Sequence, residues 1–413
     1  MRILFIHQNF PGQFKHLATY LAQQPGMQVV GLGDKANLGE RPSTFAFPVL
    51  GYTARAAKKS TAHHYLTSFE TAIRRGQDVV RACRELLKKG FVPDLIIGHP
   101  AWGELLFIKE VFPEAKVVGY FEFFYQMHGA DVGFDPEYPS GLDVRYKLRI
   151  RNSTQLHALS ICDAGISPTA WQHSTYPAHD RSRIQVIHEG LNLDLLSANP
   201  SATFTLPDGR SLTRKDQVIT FVSRQLEPYR GFHTFIRALP ALQRRLPKAH
   251  FVIVGSDGVS YGGKPPEPYK SYREMMLAEV GAQLDQQRTH FVGRLAYEAY
   301  LSLLQVSALH IYLTYPFVLS WSMLEAMACG VPVLGSATAP VTEVITDGEN
   351  GYLFDFFNQQ QLVERAAEIL QADTRDVCDN ARRMTETRFS FQKSSLPRYL
   401  KLIQQVTKPL ESA

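Results

Sequence analysis

The sequence predicts an α/β protein of two domains, each built on a parallel sheet, and three observations carry that expectation. Short apolar runs alternate with helix-length amphipathic segments, which argues for parallel strands covered by helices on both faces. That alternation occurs twice, and 413 residues exceed what a single core usually organises. Between the two series lies Leu196–Asp216, where Pro200, Pro207, Gly209 and several Ser and Thr residues read as a linker. The expected boundaries are therefore 1–195, 196–216 and 217–391.

In the first series, residues 3–6 (ILFI) form a strand. A loop with Pro11 and Gly12 follows, and then Phe14, Leu17, Ala18 and Leu21 recur at helical spacing. Further strands are predicted at Met27–Leu32, Leu95–Gly98, Lys116–Phe121, Gly165–Ser167 and Ile184–Ile187. The second series predicts strands at Gln217–Ser223, Phe251–Gly255, His290–Gly293, Leu309–Thr314 and Val331–Gly335. Leu396, Tyr399, Leu400 and Ile403 give a last helix within Gln392–Val406. Open parallel sheets bind ligands beyond the carboxyl ends of their strands, so two such domains are expected to present those ends to a shared cleft.

Composition narrows the function. An apolar content of 45% suits a globular enzyme and does not suit a disordered chain. The opening MRILFIHQNF has an apolar run too short for a secretion signal, and no apolar stretch approaches the roughly 20 residues that span a bilayer. A cytoplasmic location is expected. Cys83, Cys162, Cys329 and Cys378 lie far apart, without the paired spacing of a zinc or redox site, and read as reduced, buried thiols. The net charge is +5, and basic residues cluster at Arg74, Arg75, Arg81, Arg84, Lys88 and Lys89, and at Arg145, Lys147, Arg149 and Arg151. Each run reads either as a solvated helix face or as a site for a phosphorylated acceptor or anionic lipid headgroups, which keeps peripheral contact with the inner face of a membrane open. Nucleic acid is not expected as a partner.

Two segments carry chemistry. In Tyr312–Ser336, YLTYPFVLSWSMLEAMACGVPVLGS, a strand ends near Thr314 and a helix covers about Ser322–Cys329, closed by Gly330. Ser322 and Glu325 have the spacing of a capping box, so Glu325 either satisfies its own helix or accepts hydrogen bonds from ribose hydroxyls. In SRQLEPYRG, Arg224 stands at a strand end and Arg230 beside Gly231. Guanidinium groups can bind two phosphate oxygens at once, so a diphosphate fits the pair, while the alternative is a local ion pair with Glu227.

These segments, with EVITDGENGYLFD, resemble the retaining family-4 glycosyltransferases of the GT-B fold, which have two Rossmann-like domains. The resemblance spans about Val222–Asp355, and the opening HQNFPGQFKHLA is similar to the family's first glycine loop, which places Gly12 beneath the donor phosphates. PDLIIGHPAWGE and YFEFFY suggest a subgroup with its own N-terminal domain. The resemblance implies a nucleotide-diphosphate sugar as donor, Arg224 and Arg230 on its diphosphate, Glu325 on the ribose and Glu343 near the base or sugar. It also implies that a C-terminal helix, about 392–413, completes the first domain. The first of the family's paired glutamates falls at Phe317, so either the Phe317–Trp321 run holds the sugar through backbone N–H groups, Ser320 or aromatic packing, or another residue takes the role; Ser320, Trp321 and Ser322 are counted with the donor site. Glu122 stands at the position of the family's histidine. His99 and Glu104 occupy another strand end, and His128 and His188 are weaker candidates. Neither a metal nor a separate cofactor is expected, because arginines and helix N-termini balance the diphosphate. The acceptor stays open among a glycan, a lipid-linked glycan and a small molecule. The competing readings are a nucleotide-sugar epimerase, a sugar phosphorylase, or a binding protein without catalysis.

Overall fold

The computed structural model describes residues 1–39, 44–54 and 62–408, so the end of the expected last helix, 409–413, lies outside the described residues. The chain divides into two compact units. One is Met1–Gly190 together with the chain from Phe391 onward; the other is Leu191–Ser390.

The first unit holds seven strands: β1 (Arg2–Ile6), β2 (Gln28–Asp34), β3 (Val49–Tyr52), β4 (Leu95–Gly98), β5 (Lys116–Tyr120), β6 (Ala164–Ser167) and β7 (Ile184–Val186). They lie in the order β3-β2-β1-β4-β5-β6-β7, and every pair is parallel. β1 sits centrally, with Ile3 opposite both Val29 and Leu95. Because both faces are covered, β1 and β4 read as unbroken apolar runs, and alternate residues serve opposite cores. Ile3 and Phe5 pack with Phe14, Leu17 and Leu21, and with Tyr399, Leu402 and Ile403 of the final helix, Leu396–Thr407. Leu4 and Ile6 face Val79, Cys83 and Leu86 of the long helix Thr67–Lys88. The last helix thus belongs to the first unit's core, where each of its buried side chains contributes roughly 1.5–3 kcal/mol.

The second unit has a short hairpin, β8 (Thr203–Thr205) with β9 (Ser211–Thr213), and a parallel sheet of six strands. These are β10 (Gln217–Gln225), β11 (Ala249–Ser256), β12 (Thr289–Gly293), β13 (Leu309–Tyr312), β14 (Val333–Ser336) and β15 (Tyr352–Phe354). Their order is β12-β11-β10-β13-β14-β15, the strand order of a dinucleotide-binding sheet.

The segment expected to link the domains is structured. Phe204 and Leu212 face each other across the hairpin and pack into one core with Val218, Val252 and Leu303. Their alternation with Thr and Ser is a strand signal, masked by the turn residues around it. The boundary also falls earlier than expected, since Leu191 bridges Ser390 and is buried with Leu324 and Met327 in the second unit. β3 and β15 were not expected; both are short edge strands, three or four residues long, without a distinctive pattern. All four cysteines are buried and unbridged, and burial pushes the Cys83, Cys162 and Cys329 thiols up to about 12.

Gly231 is fixed by geometry. Its φ is +64°, and a Cβ there would lie 2.3 Å from that of Leu313. Gly231→Ala is expected to lower stability by roughly 2–4 kcal/mol, combining left-handed strain with overpacking, read as a shift of the urea midpoint.

Candidate functional site

Each sheet reverses its strand order once, between β1 and β4 and between β10 and β13. Adjacent loops leave in opposite directions at that point and open a crevice at the carboxyl ends. Several of the sequence-predicted residues gather near these two places, and each cluster stands on its own unit.

In the second unit, the polypeptide leaves β10 through Leu226 and a short 3-10 turn, Pro228–Arg230, before the helix Phe232–Arg245. Arg230 is buried and reaches across the switch point, its Nη1 donating to Thr314 Oγ1 at 2.9 Å and to the Val318 carbonyl at 2.8 Å. Its guanidinium lies 5.3 Å from the ring of Tyr261 and 5.8 Å from that of Phe317. Arg224 is exposed at the end of β10 and makes no ion pair among the described residues. The alternative partner, Glu227, is committed elsewhere: its carboxylate accepts the backbone N–H groups of Ser260, Tyr261 and Gly262 at 3.1–3.3 Å. No local carboxylate therefore neutralises either arginine by hydrogen bonding.

The capping box does not form. The helix runs Trp321–Ala328, with Ser320 rather than Ser322 at its N-cap and no side-chain cap. Glu325 is buried and turned away from its own helix start; it accepts the hydroxyls of Tyr297 at 3.1 Å and Tyr300 at 2.6 Å. Burial, followed by the Glu325 charge, holds both phenols above their ordinary range, so they remain protonated donors. The sequence reading missed these tyrosines. Their i,i+3 spacing on the helix Tyr297–Val306 places both on one face, but nothing local marks Glu325, 25 and more residues away, as their partner.

Ser320 is half-buried, and its N–H donates to Tyr312 Oη at 2.8 Å. Trp321 is 42% exposed, whereas Ser322 is buried and its hydroxyl has no hydrogen-bond partner among the described residues. Phe317 is enclosed by Tyr229 and Tyr261, so the position expected to bear the first glutamate faces packing. Glu343 follows the short helix Ala339–Thr342 and is half-buried, its carbonyl accepting from Arg388.

In the first unit, one device recurs at three strand ends. His7 after β1, His99 after β4 and His188 after β7 each accept, at Nδ1, the backbone N–H two residues onward, from Asn9 at 2.9 Å, Ala101 at 3.3 Å and Gly190 at 3.0 Å. That bond leaves the neutral ring's proton on Nε2. His7 and His99 meet edge to face with centroids 5.3 Å apart, and burial, followed by the neighbouring His99, holds His7 well below the ordinary imidazole range. Glu122 joins them after β5: His99 Nε2 lies 3.4 Å from one carboxylate oxygen, and Gln13 Nε2 donates to the other at 2.5 Å. Gly12 admits this packing, because a Cβ at its φ of +49° would meet the His7 ring at 2.6 Å.

His7 and Gln13 were not singled out from the sequence, although both lie in the HQNFPGQ loop. Glu104 is not part of this cluster; it is buried, accepts Tyr52 Oη at 3.0 Å and lies 3.8 Å from Arg75 Nε. His128 is exposed.

Residues 25–196 match the description "Glycosyl transferase family 4 group", and residues 208–387 match "Glycosyl transferases group 1". The chain is 25% identical to the D-inositol 3-phosphate glycosyltransferase of Corynebacterium glutamicum, over 52% of this chain and 52% of that protein. It spans about half the length of the curated relatives it matches. Among solved structures it resembles the sucrose-phosphate synthase of Thermosynechococcus elongatus, with a TM-score of 0.69 and 16% identity, covering 98% and 99% of the two chains. It also resembles Anabaena HepE in complex with UDP-glucose, with a TM-score of 0.67 and 18% identity over 98% and 100%. These likenesses show the GT-B fold. With its two halves matched in order and over most of their length, the chain belongs to the family-4, group 1 glycosyl transferases.

Proposed function

We propose that the protein transfers a sugar from a nucleotide-diphosphate sugar to an acceptor hydroxyl, with retention at the anomeric carbon and without a metal ion. The observation that carries this reading is the pair of arginines at the β10 switch point, neither held by a carboxylate: Arg230 buried across the two loops and Arg224 open to solvent. A diphosphate is the dianionic group such a pair accommodates. Glu325, oriented by two phenols, serves the ribose. The backbone around Ser320 to Ser322, with Trp321, receives the sugar, and Glu343 lies toward the base or sugar. Gly12 is assigned to the donor phosphates on the likeness of its loop, HQNFPGQ, to the family's first glycine loop.

In the reaction, the anomeric carbon loses its bond to the diphosphate through an oxocarbenium-like state. The acceptor oxygen forms its bond on the same face, and the acceptor proton passes to the departing phosphate. Arg224 and Arg230 stabilise the charge that grows on that phosphate, and Glu122, held by Gln13, stabilises the positive carbon or receives an acceptor hydroxyl. The acceptor is a glycan, a lipid-linked glycan or a small molecule. No helix among the described residues is long and apolar enough to cross a membrane, and the basic helices support peripheral contact with an anionic surface at the cytoplasmic face.

UDP-glucose, the compound bound in HepE, is the first donor to test. A donor at 100 times its Kd is expected to stabilise the fold by about 2.7 kcal/mol, seen as a rise in melting temperature over the apo protein. No rise with any UDP-, GDP- or ADP-sugar at millimolar concentration would rule the reading out.

A further inference from the structure

The mechanism leaves unused a cavity of about 570 Å³ that lies wholly within the first unit. The helices Thr67–Lys88 and Leu142–Arg151 form its walls, and the loop after β4 closes one end. Arg75, Lys147 and Arg151 line it, while no carboxylate does among the described residues; Tyr65, Phe69 and Trp102 supply the aromatic surface. Resting on the transferase reading, we infer that this cavity binds the acceptor, and that the acceptor is a sugar or polyol carrying a phosphate.

The charges behind the lining show how much of that positive character is uncompensated. Lys147 is paired with Asp143 at 2.9 Å, and Asp143 is also held by His64 at 3.0 Å. Arg75 spends one Nη1 donor on the Trp102 carbonyl at 3.2 Å. Its buried Nε has no hydrogen-bond partner among the described residues, with Glu104 3.8 Å away. Desolvation pushes the Glu104 carboxyl above its ordinary range, which weakens it as a counter-charge. Arg151 has no ion pair among the described residues and lies 4.0 Å from the centroid of Tyr125, a contact that fixes its plane and leaves its charge in place. Two guanidinium forks and one ammonium around a single volume match the oxygens and negative charge of a phosphate ester. A neutral sugar would leave them unused.

The cavity wall also packs against the strand-end cluster. Trp102 in its wall stacks on His99 with centroids 4.2 Å apart and planes 22° from parallel, and His99 is the ring that faces Glu122. Volume agrees, since 570 Å³ falls within the range of small-ligand pockets.

The test uses the full-length chain and titration calorimetry with four probes: glucose, glucose 6-phosphate, and phosphatidylcholine vesicles with and without phosphatidylinositol. The expected result is that a phosphorylated probe binds at least about tenfold more tightly than its neutral counterpart, and that K147Q/R151Q loses this preference. Binding of glucose 6-phosphate would identify a soluble acceptor and binding of the phosphatidylinositol vesicles a lipid-borne one; either supports the inference. Equal binding of neutral and phosphorylated probes overturns it, as does a preference that survives K147Q/R151Q or is lost in R224A, where the donor site alone is altered. UDP-glucose affinity, measured in parallel, is expected to be the same in K147Q/R151Q and wild type. If UDP-glucose binds neither protein while the phosphate preference and its loss persist, the donor assignment fails and the anion-binding cavity stands.

Discussion

Arg224→Ala is expected to reduce sugar transfer by about 10²–10³-fold with no change in melting temperature, whereas Arg230→Ala should lose as much activity and also lower stability. The difference follows from position. Arg224 is exposed and makes no ion pair among the described residues, so its removal takes away only what it does for a ligand. Arg230 is buried and hydrogen-bonded to Thr314 and Val318, and removing it leaves the Val318 carbonyl without that donor and opens space between Tyr261 and Phe317. A cost of roughly 2–4 kcal/mol follows from a lost charge-assisted bond together with a cavity. Steady-state kinetics with saturating acceptor, paired with urea unfolding of each variant, separates the two effects. Full activity in the double variant would remove the diphosphate assignment.

The fold was largely legible because buried parallel strands write themselves as short continuous apolar runs. Eleven such runs were expected, and each corresponds to an observed strand. The hairpin β8–β9 was not legible, since Phe204 and Leu212 stand singly among Thr, Ser, Pro and Gly, and one inward residue per strand looks like a loop. At the site, local spacing singled out residues that the structure brings to strand ends, but it named partly the wrong partners. Glu325 sits three residues after Ser322, yet its helix begins one residue earlier and its hydrogen bonds come from a preceding helix. Glu227 lies between two arginines in sequence and instead accepts three amides from residues 260–262. Sequence patterns report which face a residue occupies; they carry no record of what a distant segment brings to that face.

Lowering the pH from 7 to 4.5 is expected to cost about 3 kcal/mol of stability through His310 alone. His310 is fully buried on β13, its Nδ1 3.0 Å from Thr220 Oγ1, and desolvation holds its pKa down at about 3, against 6.5 for an ordinary histidine. The folded state keeps the ring neutral while the unfolded chain takes up a proton below pH 6.5. The stabilisation is therefore present above that value and is lost as pH falls toward 3. His7, held low by burial and by His99, acts in the same direction in the other unit. Glu104 runs oppositely, because its carboxyl is pushed up by burial and the folded state binds its proton more readily. Comparison with His310→Asn isolates the effect: urea unfolding at pH 7 and pH 4.5 should show a drop smaller by about 3 kcal/mol in the variant. Equal drops in both proteins would exclude His310 as the source.

Glu227 has a further consequence. Its carboxylate fills a concave row of amide groups that is shaped for an anion, and it does so from within the same chain. The Ser260–Gly262 loop is thus already ordered around a resident negative charge before any ligand arrives. Binding free energy at this switch point need not be spent on freezing that loop, so affinity at the arginines reflects contact with the ligand more than the entropy of assembling the site.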